Sequence, residues 1–285
     1  MIHTSVRQFA CDIEDCHVLI NNAGIMSSEQ KKQSGMELTM RTNFLGPFLL
    51  TNLLMPAMMH SSEKDSIECR VVNLTSTSEA KAEAFPGRDP LGQSAIRGDL
   101  PDSVTDTRNK SSRVHFYGML NSLDWVSNGP VPYFMLTAYA NASLCTILAT
   151  TVELSQRLMG LKTLRQQRGG QSSTENNEER KGGDFNITVN SVCPGYVNTD
   201  LWKESSMLWT PFRYMIFKSP EKGSEIVFDI ATSKEYDSVT GQFFSSMAEN
   251  VSSDMSKSEE LAKVVWEKSC KLVNIKDTCY GEDKK

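Results

Sequence analysis

Residues 17–26 read HVLINNAGIM, a short apolar run that ends at two asparagines, an alanine and a glycine. This pattern is typical of a buried parallel strand that leads into a turn, because helices cover both faces of such a strand. Further strands are predicted at RVVNLT (residues 70–75), at NITVNSVC (186–193), which Pro194 and Gly195 close, and at VTGQFF (239–244).

Stretches with the apolar periodicity of helices lie between these strands. The first is amphipathic, with Val6, Phe9, Ala10 and Ile13 on one predicted face. The alternation of strand and helix indicates an α/β fold, a Rossmann-like doubly wound parallel sheet with helices on both faces. The predicted helices cover residues 5–16, 36–60, 133–159, 221–232 and 258–273.

Two polar segments interrupt this rhythm, near residues 81–113 and 166–184. The first is charged and contains several prolines, and the second is rich in Gly, Ser, Asn and Glu, which is typical of surface insertions. Because the alternation resumes after each segment, we interpret residues 1–285 as one partial domain with two insertions.

Composition excludes several classes of function. The net charge of -5 disfavours binding to nucleic acid. The 7 cysteines and 4 histidines are scattered without ligand spacing, so we expect neither a metal site nor disulfides. No stretch of the sequence reaches the roughly 18 consecutive apolar residues that would predict a membrane span. An intracellular, reducing compartment fits best, either cytoplasmic or at a membrane surface.

Polar residues that could carry chemistry follow the predicted strands. Asn22 and Ser76 stand at two strand ends, and the Pro194–Gly195 turn follows a third. In an open α/β sheet, ligands bind beyond the carboxyl ends of the strands, so we expect these residues to meet in one crevice. Asn43 and Tyr139, on predicted helices, complete the set.

In this order the motifs resemble those of the short-chain dehydrogenase/reductase family, and most of all its retinol-dehydrogenase-like branch. The similar stretches are LINNAGIM, NFLGPFLLTNLL, RVVNLTS, TVNSVCPGYVNTDL and VTGQFF, so the resemblance covers nearly the whole chain apart from the insertions. It implies an oxidoreductase that uses NAD or NADP and acts on an apolar alcohol or aldehyde. The aromatic, methionine-rich stretch at residues 201–217 suits such a substrate, although it equally suits helices packed on the core.

The resemblance also implies a role for each matching residue. Ser76 would hydrogen-bond the substrate oxygen, and Tyr139 would be the general acid/base and contact the cofactor. Asn43 would hold a water molecule in a proton relay. The remaining cofactor-binding residues would be Asn22, Ala23 and Gly24 beside the adenosine half, and Pro194, Gly195, Val197 and Thr199 around the nicotinamide.

Two departures from the family pattern lead us to expect impaired activity. The family has a lysine four residues after the tyrosine, whereas Ser143 stands there in this chain. The family also begins with a glycine-rich cofactor loop and further strands, which we expect to lie upstream of Met1. Without those strands, residues 17–21 would form an exposed apolar edge. We favour an incomplete gene model or a splice form over a minimal enzyme.

Three hypotheses about function stay open. The first is the oxidoreductase that the resemblance implies. The second is a non-catalytic protein that forms an oligomer, with itself or with an intact paralogue, because family members commonly pair through the helices matching residues 133–159 and 221–232. The third is a fragment that does not fold stably.

Overall fold

The computed structural model describes residues 2–83, 135–170, 185–203, 216–247 and 253–277. Most of both predicted insertions lies outside these ranges. The strands, in chain order, are β1 (Val18–Asn21), β2 (Lys32–Gln33), β3 (Met36–Glu37), β4 (Glu68–Leu74), β5 (Asn186–Cys193) and β6 (Phe243–Ser245). The α-helices are α1 (Ile2–Cys11), α2 (Leu38–Met40), α3 (Gly46–Asp65), α4 (Met135–Cys145), α5 (Leu154–Gly170), α6 (Pro220–Thr232) and α7 (Glu259–Val273).

Within the described ranges, four strands form a parallel sheet in the order β1–β4–β5–β6, and β2 and β3 form a separate antiparallel pair. Helices cover both faces of the sheet. Val71 belongs to the large core beneath α3 and α7, whereas its neighbour Val72 belongs to the smaller core formed with Val227 and Ile230 of α6. The alternation arises because successive side chains of a strand point to opposite faces. This doubly wound α/β arrangement confirms the predicted fold class.

The predicted helix at residues 36–60 begins two residues late, because Met36 and Glu37 form β3. The buried carboxylate of Glu37 accepts hydrogen bonds from the backbone N–H groups of Thr39 (2.9 Å) and Met40 (2.7 Å). It thereby satisfies two of the unpaired donors at the start of α2. A π-helical turn, Arg41–Leu45, then joins α2 to α3.

In the structure, the helical run predicted at residues 133–159 extends further along the chain than the sequence indicated. Helix α4 continues through a π-helical segment, Thr146–Glu153, into α5, which ends at Gly170 and so enters the predicted second insertion. By length and composition this run, Met135–Gln167, could cross a membrane, but 78% of its most apolar window is buried in the fold. A buried core helix passes the same test, so the run is weak evidence for a span.

The remaining elements correct the sequence prediction in detail. Strand β1 is not the fully buried strand that its apolar run indicates. Val18 and Ile20 are each 43% exposed at the edge of the described sheet, in agreement with the exposed apolar edge expected at residues 17–21. Helix α1 ends at Cys11, before the predicted residue 16, and Phe9 is exposed although Val6 packs on the core. Strand β6 occupies only the end of the predicted 239–244 stretch. The predicted strands at 70–75 and 186–193 and helices at 221–232 and 258–273 are confirmed, with small shifts at their ends.

Candidate active site

A cavity of about 710 Å³ opens at the carboxyl ends of β1, β4 and β5. This is the position at which an open α/β sheet binds its ligands, and the volume suits a ligand of cofactor size. The structure brings every sequence-predicted site residue to the lining of this one cavity: Asn22, Ala23, Gly24, Asn43, Ser76, Tyr139, Pro194, Gly195, Val197 and Thr199. Their individual roles stay predictions.

The hydroxyl of Ser76 is oriented by the turn that follows β4. Its Oγ accepts a hydrogen bond from the backbone N–H of Ser78 at 3.1 Å. A hydroxyl has one proton and two lone pairs, so this contact leaves the proton of Ser76 free to be donated into the cavity. A donor at this position can stabilise negative charge on a ligand oxygen.

Tyr139 reaches the same cavity from α4. Burial, with a smaller contribution from the nearby thiol of Cys193, raises the pKa of the Tyr139 phenol to about 12, compared with about 10 for a free phenol. The phenol is therefore protonated at neutral pH. In this state it can donate a proton to a ligand, but it is a poor base.

Ser143 lies one helical turn after Tyr139 and also lines the cavity. Residues four apart on a helix share a face, so the two side chains point to the same space. Ser143 is buried and carries no charge. Among the described residues that line the cavity, Asp200 alone is ionisable at neutral pH, and nothing cationic faces Tyr139 from this lining.

The side chain of Asn43 is fully engaged with the loop that follows β1. Its Oδ1 accepts a hydrogen bond from the N–H of Ile25 at 2.9 Å, and its Nδ2 donates to the carbonyl of Ile25 at 2.8 Å. Gly24 packs directly on the Asn43 amide. The side chain therefore holds the loop in place. A relay water would have to bind the main-chain carbonyl of Asn43 instead, which accepts a hydrogen bond from the Thr146 hydroxyl at 3.5 Å.

The turn after β5 forms a closely packed wall of the cavity. Gly195 has a φ of +81°, a backbone conformation that favours glycine, and a Cβ there would lie in tight contact with the Ser246 hydroxyl at 3.2 Å. Helix α6 approaches the same loop at Gly223, where a Cβ would lie 2.5 Å from a methyl group of Val197. The wall is thus fixed by backbone packing.

Aromatic side chains extend this wall outward. Tyr196 and Trp202 line the cavity, and Phe217 stacks on Tyr196 at 5.5 Å and packs edge-on against Trp202 at 5.0 Å between ring centroids. The indole N–H of Trp202 donates to the carbonyl of Val197 at 3.0 Å. Two of these rings lie in the aromatic stretch that the sequence connects with an apolar substrate.

Sequence reasoning missed two further hydroxyls of the cavity. The Oγ1 of Thr75 and the Oγ of Ser78 are buried in residues that line the cavity, and neither has a hydrogen-bond partner among the described residues. Both flank Ser76 in the run Thr75-Ser76-Thr77-Ser78, and this run of hydroxyls at a strand end is the signal that could have found them. Cys193, immediately before the Pro194–Gly195 turn, also lines the cavity.

A second set of polar residues, one step inside the sheet, serves a structural purpose. Asn21, Asn73 and Ser191 occupy the same row of β1, β4 and β5. The amide of Asn21 donates to Oδ1 of Asn73 at 2.8 Å and to the Thr51 hydroxyl at 3.0 Å. Thr151 then links Asn73 (3.3 Å) to Ser191 (2.5 Å), so this buried row is internally satisfied.

Comparison with known proteins finds relatives of one family. The family model for short chain dehydrogenases matches residues 1–86. Mouse (Mus musculus) retinol dehydrogenase 13 is 26% identical over 284 residues, which cover 95% of this chain and 65% of that protein. Human (Homo sapiens) polyprenol dehydrogenase is 27% identical, with 96% of this chain and 67% of that protein covered. These matches confirm the predicted resemblance to the short-chain dehydrogenase/reductase family.

The relatives named retinol dehydrogenase agree with the branch that the motifs indicated. Another relative, the short-chain dehydrogenase TIC 32 B, chloroplastic, of Brassica napus, is 27% identical over 96% of this chain and 68% of its own length. The chain thus spans about two thirds of the length of the relatives it matches. A solved structure of an uncharacterised protein from Mycobacterium Paratuberculosis has the same fold, with a TM-score of 0.54 at 21% identity, covering 96% of this chain and 73% of that one.

The residues present fit the nicotinamide end of the cofactor that this family implies. The cavity is large enough, Gly195 allows a ligand to approach the backbone closely, and the unpartnered hydroxyls of Thr75 and Ser78 can pair with polar ligand atoms. Within the described ranges, no three His, Cys, Asp or Glu side chains form a group that could hold a metal.

Proposed function

We propose that the protein is a nicotinamide-dependent oxidoreductase that reduces an apolar aldehyde or ketone, and that it works more slowly than an enzyme with a lysine beside the tyrosine. The observation that carries the proposal is the meeting of Ser76, Tyr139 and the Pro194–Gly195 turn in one cavity at the carboxyl edge of the sheet. When bound, the reduced cofactor supplies the hydride.

The chain's own residues would then stabilise the negative charge on the substrate oxygen and donate a proton to it. The free proton of Ser76 would hydrogen-bond the substrate oxygen as negative charge develops on it. Tyr139, whose raised pKa keeps it protonated, would donate its phenolic proton to that oxygen. The same raised pKa leaves little phenolate at neutral pH, so we propose that oxidation of the alcohol is slow there.

The proposed substrate is apolar because aromatic rings form the outer wall of the cavity. Tyr196 and Trp202 present their rings there, supported from behind by Phe217. A long-chain or retinoid-like aldehyde could bury its tail on such a wall at roughly 25 cal/mol per Å² of apolar surface. The relatives named for retinol and polyprenol support the same class of substrate.

The proposal is tested by ligand binding and turnover with the same purified chain. We expect the fluorescence of NADH or NADPH to change on binding with a Kd of about 0.1–1 mM, equivalent to roughly 4 to 5.5 kcal/mol. Oxidation of the reduced cofactor should accompany loss of a hydrophobic aldehyde. Tyr139→Phe should abolish turnover while weakening nucleotide binding far less, because only one of several cofactor contacts is lost. No binding at several millimolar, or full turnover by Tyr139→Phe, would refute the proposal.

We propose as the alternative a non-catalytic protein that pairs with a second copy or an intact paralogue. Three observations favour it: Ser143 in place of a lysine, the high pKa of Tyr139, and exposed apolar side chains on the helices through which family members pair. These side chains are Leu136 on α4, Met159 on α5 and Phe228 on α6, with Phe228 65% exposed. Sedimentation of the purified chain, alone and with a full-length relative, tests the alternative. A monomer in both cases would exclude it.

A further inference from the structure

Lys218 holds the cavity wall from behind, although it does not itself line the cavity. Its ammonium nitrogen lies 2.8 Å from the Ser246 hydroxyl, 3.4 Å from the Ser246 carbonyl and 3.5 Å from the Pro194 carbonyl. An ammonium group has three protons, and these three acceptors can take all of them. The side chain thus ties the turn after β5 to the end of β6.

The backbone of the same residue holds the same loop at two more points. The N–H of Lys218 donates to the carbonyl of Tyr196 at 2.9 Å, and its carbonyl accepts from the N–H of Asn198 at 2.9 Å. These bonds form an isolated parallel bridge between Val197 and Lys218. One residue therefore clamps the wall from Pro194 to Asn198 through both its main chain and its ammonium group.

Within the described residues, the surroundings of the Lys218 ammonium group are neutral. In the part of the chain that the structure describes, no carboxylate lies within ion-pair distance of its ammonium nitrogen, and all three of its polar contacts are with neutral oxygens. This nitrogen is 3.6 Å from the position that a Cβ on Gly195 would take. The partly buried ammonium group of Lys218 therefore stands directly behind the cavity wall at Gly195, where solvent screens its charge less than at the surface.

We propose that Lys218 is the positioning residue of this wall, and that its charge makes the cavity prefer the reduced cofactor. This inference rests on the proposed function, in which the nicotinamide ring packs against Pro194 and Gly195. The oxidised ring carries a positive charge and the reduced ring is neutral, so an ammonium group behind the wall repels only the oxidised form. The residue supplies a cation to the site from outside the tyrosine helix.

Four variants separate the clamp from the charge. Lys218→Met removes the ammonium but retains the backbone bridge, Lys218→Arg keeps the charge and donor groups, and Ser246→Ala weakens the clamp without changing the charge. Lys222→Met is the matched control, because Lys222 is an exposed lysine on α6 that pairs with Glu225 and does not contact the wall. Thermal unfolding shows which variants are folded.

The first measurement needs no cofactor. Hydrogen–deuterium exchange of residues 194–203 in the unliganded chain should become at least fivefold faster in Lys218→Met, somewhat faster in Ser246→Ala, and unchanged in Lys218→Arg and Lys222→Met. Exchange in Lys218→Met that equals wild type would overturn the clamp. Because this result does not depend on nucleotide binding, it remains decisive if the proposed function fails.

The second measurement compares the two redox forms of the cofactor. Titrations with reduced and oxidised nucleotide should show that Lys218→Met weakens binding of the reduced form about tenfold and of the oxidised form less than threefold. Ser246→Ala should weaken both equally, and Lys218→Arg should retain the wild-type ratio. An equal loss for both forms in Lys218→Met would overturn the role of the charge, whereas failure of wild type to bind either form would refute the proposed function itself.

Discussion

Asn73 and Thr75 are two residues apart on the same strand end, and both are buried polar residues, yet their surroundings differ. The Asn73 amide sits inside the sheet with hydrogen bonds on both of its polar atoms. The Thr75 hydroxyl, just beyond the strand, lines the cavity without a partner. Buried polar groups are nearly always paired in a folded protein, so an unpaired hydroxyl indicates where a ligand or water is expected.

The comparison separates residues that hold the fold from residues that can bind a ligand. The inner row (Asn21, Asn73, Thr151 and Ser191) satisfies itself across three strands. The outer set (Thr75, Ser76, Ser78, Tyr139 and Ser143) faces the cavity. If this division is correct, substitutions in the inner row should affect stability, and those in the outer set should affect chemistry.

The largest effect on stability is expected for Asn73→Ala. The substitution deprives the Asn21 amide and the Thr151 hydroxyl of a buried partner and leaves a small void, so we expect a loss of about 3 kcal/mol in the free energy of unfolding. Urea denaturation followed by circular dichroism measures the loss. Asn22→Ala, at an exposed asparagine next to the row, is the control, with an expected change below about 0.5 kcal/mol. Similar losses of unfolding free energy in Asn73→Ala and Asn22→Ala would contradict the structural role given to the inner row.

The largest effect on chemistry is expected for Ser143→Lys. An ammonium group one turn from Tyr139, in the same cavity, would stabilise the phenolate and bring the proton transfer closer to neutral pH. We expect kcat/KM for a hydrophobic aldehyde to rise on the order of 100-fold. Ser143→Met has similar length and no charge, so it serves as the control. An equal gain from methionine would assign the effect to packing, and no gain from lysine would contradict the role given to Tyr139.

Wild type and Ser143→Lys should differ in how the rate of alcohol oxidation depends on pH. Alcohol oxidation needs the deprotonated phenol, and the pKa of about 12 means that its rate should keep rising about tenfold per pH unit from pH 7 to 10. In Ser143→Lys the pKa should fall by up to about three units, so the profile should bend towards a plateau near pH 9 to 10. Initial rates of nucleotide reduction at fixed ionic strength measure both profiles. Parallel profiles would show that the introduced charge does not act on Tyr139.

Much of this organisation could be predicted from the sequence, because the signals are local. The apolar runs of β4 and β5 are buried on both sides, so their hydrophobicity is continuous and their limits are clear. The convergence of Ser76 and Pro194 on one crevice follows from the rule that parallel strands end at the same edge. Those predictions needed only the order of elements along the chain.

The parts that could not be predicted depend on contacts between distant residues. The run HVLIN alone indicates a buried strand, and the exposure of Val18 and Ile20 is expected only from the family order of strands, because it depends on which strands pair with β1. The engagement of the Asn43 amide by Ile25, and the clamp by Lys218, join residues from separate elements. A lysine before Ser219-Pro220 reads in sequence as an ordinary residue ahead of a helix cap, and only the fold places it behind Gly195.

The smallest effect on stability, and the sharpest test of the comparison, is expected for Thr75→Val. The substitution replaces an unpartnered buried hydroxyl with a methyl group of the same shape, so the free energy of unfolding should stay within about 1 kcal/mol of wild type or rise slightly. Nucleotide binding should nevertheless weaken severalfold, because the ligand loses a hydroxyl partner in the cavity. Urea denaturation and a fluorescence titration on the same preparation measure both quantities. A loss of stability comparable to that of Asn73→Ala would place Thr75 with the residues that hold the sheet together, because a hydroxyl with no partner in the protein has no bond to lose.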